Sequence, residues 1–505
     1  MSGSELATQV RERLSVDTDA FRARAQEEAE QLKEEVQAGT YDNTQALIGL
    51  EMELYGADSR TDGLRRMPRS LLGLIGFEQE LGLHNAEMQT SPEPLTRYGL
   101  VAQEKELQAH FVPAQEKTNA ENLSLVTDGM WTVPPTGETA SEYLTDFVEQ
   151  DGIRIATNMS DSVRYHALAN TDYPSRFELD APHVSLSAET VMPESLITSI
   201  QPHYQVPHAP DLPEYFRYAL RVAGPLLALG VNAPFFPPDL YDDAPDAKIV
   251  DDAHMEHRIG VFESVLNPPD DHEEPPKVCF PPDFESVEAA IDAIAADQCI
   301  VPTEVTTGNR FDDRFAHFRH KHGSYWRWVR PVFEGATRSE ANARIEFRPL
   351  PAQPTIRDSV AFEAVFAGLM ESLRRREHPV RALDWETAKE NFYAATHDGL
   401  QADIEWITSD GAETTAMDEI GHELFEFARD GLEVRGLSTE QAREYIRPLR
   451  ERLDRRMTPA RWKHERVHES VQAGVPLAEA IWGMQAEYID HQSETLIEGT
   501  FADWL

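Results

Sequence analysis

Residues 48–56 read IGLEMELYG, Ile48 to Gly56. In a β-strand successive side chains point to opposite faces. Ile48, Leu50, Met52 and Leu54 then line one face, while Glu51 and Glu53 project together from the other, about 7 Å apart. Carboxylates placed side by side repel. A solvated outer face accounts for them, and so does a divalent cation held between them. Which applies depends on what the neighbouring strands set beside them.

The same two-residue period organises the other apolar runs. In SIQPHYQ, residues 199–205, Gln201, His203 and Gln205 share a face. In ARIEFRP, residues 343–349, Glu346 and Arg348 share one face and Ile345 and Phe347 the other. In YWRWVRP, residues 325–331, Trp326, Trp328 and Arg330 fall together. Singly, each is a half-buried strand with a wet side. Jointly they differ from an ordinary wet side, which favours Lys, Thr and Ser. A curved antiparallel sheet whose concave face gathers carboxylates, an imidazole and guanidiniums can hold metal-bound phosphates. Magnesium takes oxygen ligands from carboxylates, water and substrate phosphates. Arginines supply counter-charge to a transferring phosphoryl group.

Composition narrows the class. The 505 residues carry 89 acidic against 46 basic side chains, a net charge of −43, and only eight of the basic residues are lysine. The acid excess runs from end to end, as in proteins of salt-loving archaea, and speaks to solubility and not to fold. No basic stripe offsets the repulsion of phosphates, so nucleic acid is not an expected partner. No apolar run approaches the ~20 residues of a membrane span. The start has no basic head followed by an apolar core, so no secretory leader is expected. Cys279 and Cys299 stand alone, without metal or disulfide spacing, and a reducing cytoplasm is the expected setting. His254 and His257, spaced for one helix face, lack a third partner for a metal.

Along the chain, residues 1–40 read as an N-terminal helical extension ending at Gly39. Residues 41–360 form a catalytic sheet region, with irregular peripheral insertions near 111–150 and 267–277. Asp211 is the expected cap of a buried helix with proline in its first turn. Residues 361–505 are expected to be helical and packed on the same domain, with Gly399 and Gly431 as punctuation. No repeat, phosphate-binding glycine loop or dinucleotide fingerprint occurs.

In order along the chain, IGLEMELYG, ELGLHNAEMQTSPEPL, SLITSIQPHYQV, LALGVNAPFFPPDLYDD, SYWRWVRP, NARIEFRPLPAQPT and ENFYAATHDGLQADI resemble the motifs of the glutamate–cysteine ligase superfamily, specifically its carboxylate–amine ligase branch. The resemblance spans about residues 45–480 and implies an α+β, glutamine-synthetase-like fold: a curved antiparallel sheet packed with helices. It implies an ATP- and Mg2+-dependent reaction in which the γ-carboxylate of glutamate is phosphorylated and then attacked by an amine, usually that of cysteine. It carries Glu51, Glu53, Glu80, Glu87, His203 and Glu346 over as metal ligands or their neighbours. Glu51, Gln201 and Arg348 are carried over to ATP, and Arg330, Arg348 and Arg258 as clamps on phosphate or carboxylate. The chain departs from the family pattern at Ala233, where a serine is usual, within PLPAQP, where an aspartate is usual, and at Thr396 or His397, where an arginine is usual. Those departures leave a different amine, or a binding protein without turnover, as alternatives.

Overall fold

The computed structural model describes residues 3–171, 176–267, 276–305 and 308–505. Its centre is β1 (Leu47–Asp58), whose burial alternates as the period predicts: Ile48, Leu50, Met52 and Leu54 are buried, Glu51 and Glu53 half-buried. Around it lie β2 (Glu78–Gln79), β3 (Asn85–Gln89), β4 (Glu93–Pro94), β5 (Leu123–Val126), β6 (Ile200–Val206), β7 (Val329–Glu334) and β8 (Asn342–Phe347). The strand order is β7-β8-β6-β1-β3-β2, with β4 and β5 pairing the two ends of β1 beside β3. Every pairing is antiparallel. The result is α+β, a curled half-barrel sheet packed with helices.

The apolar face of the sheet is closed by helices Leu212–Gly230 and Ile356–Arg375, both buried along most of their length. Asp211 precedes the first without capping it: its backbone is already helical, and its carboxylate pairs with Arg374 at 2.8 Å. Gly399 ends helix Trp385–Asp398 with φ 54°. Gly431 does not punctuate. It lies inside helix Met417–Val434, where a Cβ would overlap the carbonyl oxygen of Gly368 on the crossing helix.

The stretch 111–150 is irregular mainly over 127–139. Helix Arg97–Ala120 runs into it, and β5 then joins the main sheet, Tyr55 opposite Val126. Of the loop expected at 267–277, residues 268–275 lie outside the described residues. At the N-terminus, helices Gly3–Leu14 and Thr18–Gln37 form and Gly39 turns the chain at φ 74°. Beyond Pro354 the chain is helical except for a short hairpin, Trp406–Ile407 with Glu413–Thr414. Buried charges fix the last helices to helix Ile356–Arg375 and to the loops at Asp128, Asn232 and Gln353. Arg452 donates to Asp358 and Gln353, each at 2.7 Å, and Lys463 bonds Asp128 and the Asn232 carbonyl. Such pairs fix register more than they add stability. Among the described residues no helix is long and apolar enough to cross a membrane.

Candidate active site

Strand register assembles the polar face. β6 sets Gln201 opposite Glu51 and His203 opposite Gly49. β8 sets Glu346 opposite His203, and β7 sets Arg330 opposite Glu346. On the other side of β1, Glu87 of β3 faces Glu53. Directly opposed residues hold their Cβ atoms about 5 Å apart, so side chains distant in sequence converge because the strands do.

Five carboxylates, Glu51, Glu53, Glu80, Glu87 and Glu194, line a cavity of about 260 Å³ together with Arg330 and Arg348. A second cavity of about 520 Å³ lies along the edge of β1 and is walled by Asn43, Gln45, His203, Arg310, Glu340 and Arg344 among others. The two share Glu51 and Gln89. One space is strongly anionic, the other mixed, and a side chain at the boundary reaches both.

Hydrogen bonds fix most of these groups. Glu53 accepts the Ser199 N–H at 2.7 Å and a Gln201 amide N–H at 3.0 Å. Each oxygen of Glu346 accepts from a guanidinium, Arg330 at 2.7 Å and Arg348 at 2.6 Å. Arg348 also donates to Gln201 at 2.5 Å. Burial raises the Glu346 pKa, but Arg330, Arg348 and His203 outweigh it and hold the carboxyl well below the usual range. Across the cavity the balance reverses. Burial, then the neighbouring Glu87, pushes Glu80 well up. Burial and the charge of Glu51 push Glu87 up to about 7. Burial and Glu53 push Glu194 up to about 8, and burial raises Glu53. Burial and mutual repulsion thus favour the protonated form of these carboxyls, and a cation among them would favour the charged form.

That electrostatic state is the test for a dication, and the residues fit one. An all-oxygen, excess-anionic cluster suits a hard ion such as Mg2+. Glu51, His203 and Glu346 are a second candidate set, one donor atom from each lying within 4.8 Å of the others. That set is more encumbered. His203 Nδ1 accepts from Arg344 Nε at 3.1 Å, which leaves the proton on Nε2, facing Glu51 at 3.1 Å. Ligation through Nε2 requires Arg344 to release it.

Of the residues expected from sequence, Glu51, Glu53, Glu80, Glu87, Gln201, Arg330 and Arg348 line the anionic cavity, and His203 and Glu346 sit at its edge. Arg258 does not line it. Its guanidinium is buried beneath, bonded to the carbonyls of Arg348 and Pro349 and lying 5.2 Å from the Trp328 ring centre. There it braces the backbone that carries Arg348, and its charge still acts on Glu53 and Glu194 of the cavity. Trp326 reaches the cavity with Arg330, but Trp328 turns into the core to donate to Glu263 at 2.7 Å, since the strand begins only at Val329. His254 is not helical, and its N–H occupies His257 Nε2 at 3.2 Å. Sequence reasoning missed Arg344, Glu194 and Tyr165, the last of which also lines the anionic cavity. Arg344 lies two residues before Glu346 and shares its period. Glu194 sits in a 3-10 turn, Met192–Leu196, that has no period to read.

The family described as glutamate-cysteine ligase family 2 matches residues 47–494. Among solved structures, a glutamate–cysteine ligase from Francisella tularensis in complex with AMP is similar at a TM-score of 0.51 and 14% identity, over 90% of this chain and 91% of that one. A bifunctional glutathione synthetase from Pasteurella multocida is similar at a TM-score of 0.52 and 15% identity, over 92% of this chain. The chain spans about half of that protein, 55% of its length. No curated protein matches the sequence. At these identities the structural likeness establishes the fold.

Proposed function

The chain belongs to glutamate–cysteine ligase family 2, and from the two cavities that meet at Glu51 we propose an ATP-dependent ligase joining the γ-carboxylate of glutamate to an amine, cysteine foremost. The observation that carries this reading is the anionic cavity itself. Five carboxylates face two arginines beside a larger, mixed cavity. A nucleotide in the larger cavity would direct its phosphates at Glu51, and a carboxylate substrate would meet them from the other side.

Bound Mg2+ would neutralise phosphate charge, with Glu51, Glu53, Glu80, Glu87, His203 and Glu346 as the residues to hold it. Arg348 and Arg330, anchored by Glu346, present fixed positive charge to the transferring phosphoryl group and to the substrate carboxylate. Gln201 fixes Arg348 from β6. A γ-carboxylate oxygen attacks the γ-phosphorus and ADP leaves. The amine nitrogen then attacks the acyl carbon, phosphate leaves, and the amine loses its proton. The chain's part is to orient the reactants and to oppose developing negative charge with groups already in place.

The departures at Ala233 and Thr396 are why the amine is the open variable. ADP release measured with glutamate, ATP and Mg2+ across a panel of amino acids tests it. The expected result is release that depends on cysteine. Release with another amine would reassign the acceptor, and Mg2+-dependent ATP binding without release under any amine would overturn the ligase reading.

A further inference from the structure

The larger cavity has a wall that the family match does not cover. That match begins at residue 47, yet Asn43 and Gln45 line the cavity. Both are pinned by β6, since the Gln205 amide donates to the Asn43 and Gln45 carbonyls. Facing them, the segments around Arg310 and from Gly335 to Glu340 supply another wall. These segments are joined by the Phe311 N–H bonding the Ala336 carbonyl at 2.8 Å.

Helix Thr18–Gln37 holds that facing wall. Glu35, with only 12% of its side chain exposed, accepts from Arg314 at 2.9 Å and from Arg338 at 3.0 Å, with a second Arg338 contact at 2.6 Å. Thr40 donates to the same carboxylate at 2.7 Å. Burial raises the Glu35 pKa, but Thr40, Arg314 and Arg338 outweigh it and keep the carboxylate charged. Arg314 follows the Arg310 segment, and Arg338 lies between Ala336 and Ser339, both of which line the cavity. Tyr41 packs on Phe311 and Phe333 behind them, with ring centres 6.3 and 6.1 Å away.

We propose that the N-terminal helix and the strap at 38–46 build one end of the nucleotide cavity, with Glu35 as the positioning residue that sets where its loop wall stands. This rests on the reading of that cavity as the nucleotide site. A carboxylate outside the cavity that holds two loop arginines fixes binding geometry, and it touches nothing in the chemistry at Glu51.

The test compares steady-state constants of the full chain and its Glu35→Ala, Glu35→Arg and Glu35→Arg/Arg338→Glu variants, with direct MgATP binding by calorimetry. Glu35→Ala is expected to raise KM and Kd for ATP about fivefold, the scale of one partly exposed ion pair. The kcat and the KM for glutamate should hold. The charge swap should recover most of what Glu35→Arg loses. An unchanged ATP KM in a folded Glu35→Ala protein overturns the proposal, as does a fall in kcat with a rise in both KM terms and a lowered Tm. If the unaltered chain binds no MgATP, the nucleotide reading fails and the proposal falls with it.

Discussion

Glu51 and Glu53 lie within one cavity with three further carboxylates, so charge and function can be separated there by single substitutions. Changing either to Gln keeps the shape and removes an anion. Turnover should fall roughly 100-fold, about 2.7 kcal/mol of transition-state stabilisation. The ligand-free protein should melt at the same temperature or higher, because repulsion is relieved. Wild-type ADP release in both variants would return the pair to a solvated face. The Glu80–Glu87 pair adds a pH dependence. From the ordinary value of 4.5, burial and Glu51 push Glu87 up to about 7, and burial and Glu87 push Glu80 well up. The folded chain therefore holds more protons, and metal-free stability falls as pH rises from about 4.5 through about 7. Mg2+ must displace those protons, so its affinity should increase between about pH 6 and about pH 8. Calorimetry in buffers of different protonation enthalpy checks this, and Mg2+ uptake without proton release contradicts it. The alternating period made Glu51, Glu53, Gln201, His203 and Glu346 legible in the sequence. It reaches Arg344 as well, but not Glu194, whose turn has no repeat, nor the inward rotation of Trp328 ahead of its strand.

Helices and strands differ in how much of them can be read locally. Helix Leu212–Gly230 and β1 announce themselves because their apolar pattern is long. β5 has four residues, and its partner lies more than sixty residues earlier in the chain, so nothing near it in sequence marks it as part of the sheet. Gly431 looks like a helix stop because glycine is a poor helix former. Its role depends on a helix that crosses it at Gly368, a contact no local pattern encodes. Gly431→Ala should therefore cost about 3 kcal/mol or more, since backbone has to move. An unchanged melting curve would mean that the crossing is not close. Helix Ile356–Arg375 carries the opposite case. Glu363 is fully buried, neither of its oxygens has a partner, and burial pushes it up to about 8. Glu363→Met should stabilise the fold by about 1–3 kcal/mol. The gain should grow as pH rises from about 4.5 to about 8, where the wild-type carboxyl resists ionising. A lower Tm for this variant, measured near neutral pH, would contradict the assignment.

For the whole molecule, a net charge of −43 makes self-repulsion a term in folding. Lowering KCl from molar to tens of millimolar lengthens the Debye length from about 3 Å to more than 10 Å and should lower Tm steadily. A flat Tm across that range would detach the acidic surface from salt. The proposed reaction makes and breaks bonds among a carboxylate, a phosphoryl donor and an amine. It is tested most directly with glutamate carrying 18O in its γ-carboxylate, incubated with the enzyme, ATP, Mg2+ and cysteine, the phosphate then being analysed by mass spectrometry. The account predicts one 18O atom transferred to each inorganic phosphate, ADP formed in equal amount, and both dependent on the amine. Unlabelled phosphate, or AMP with pyrophosphate, would contradict it.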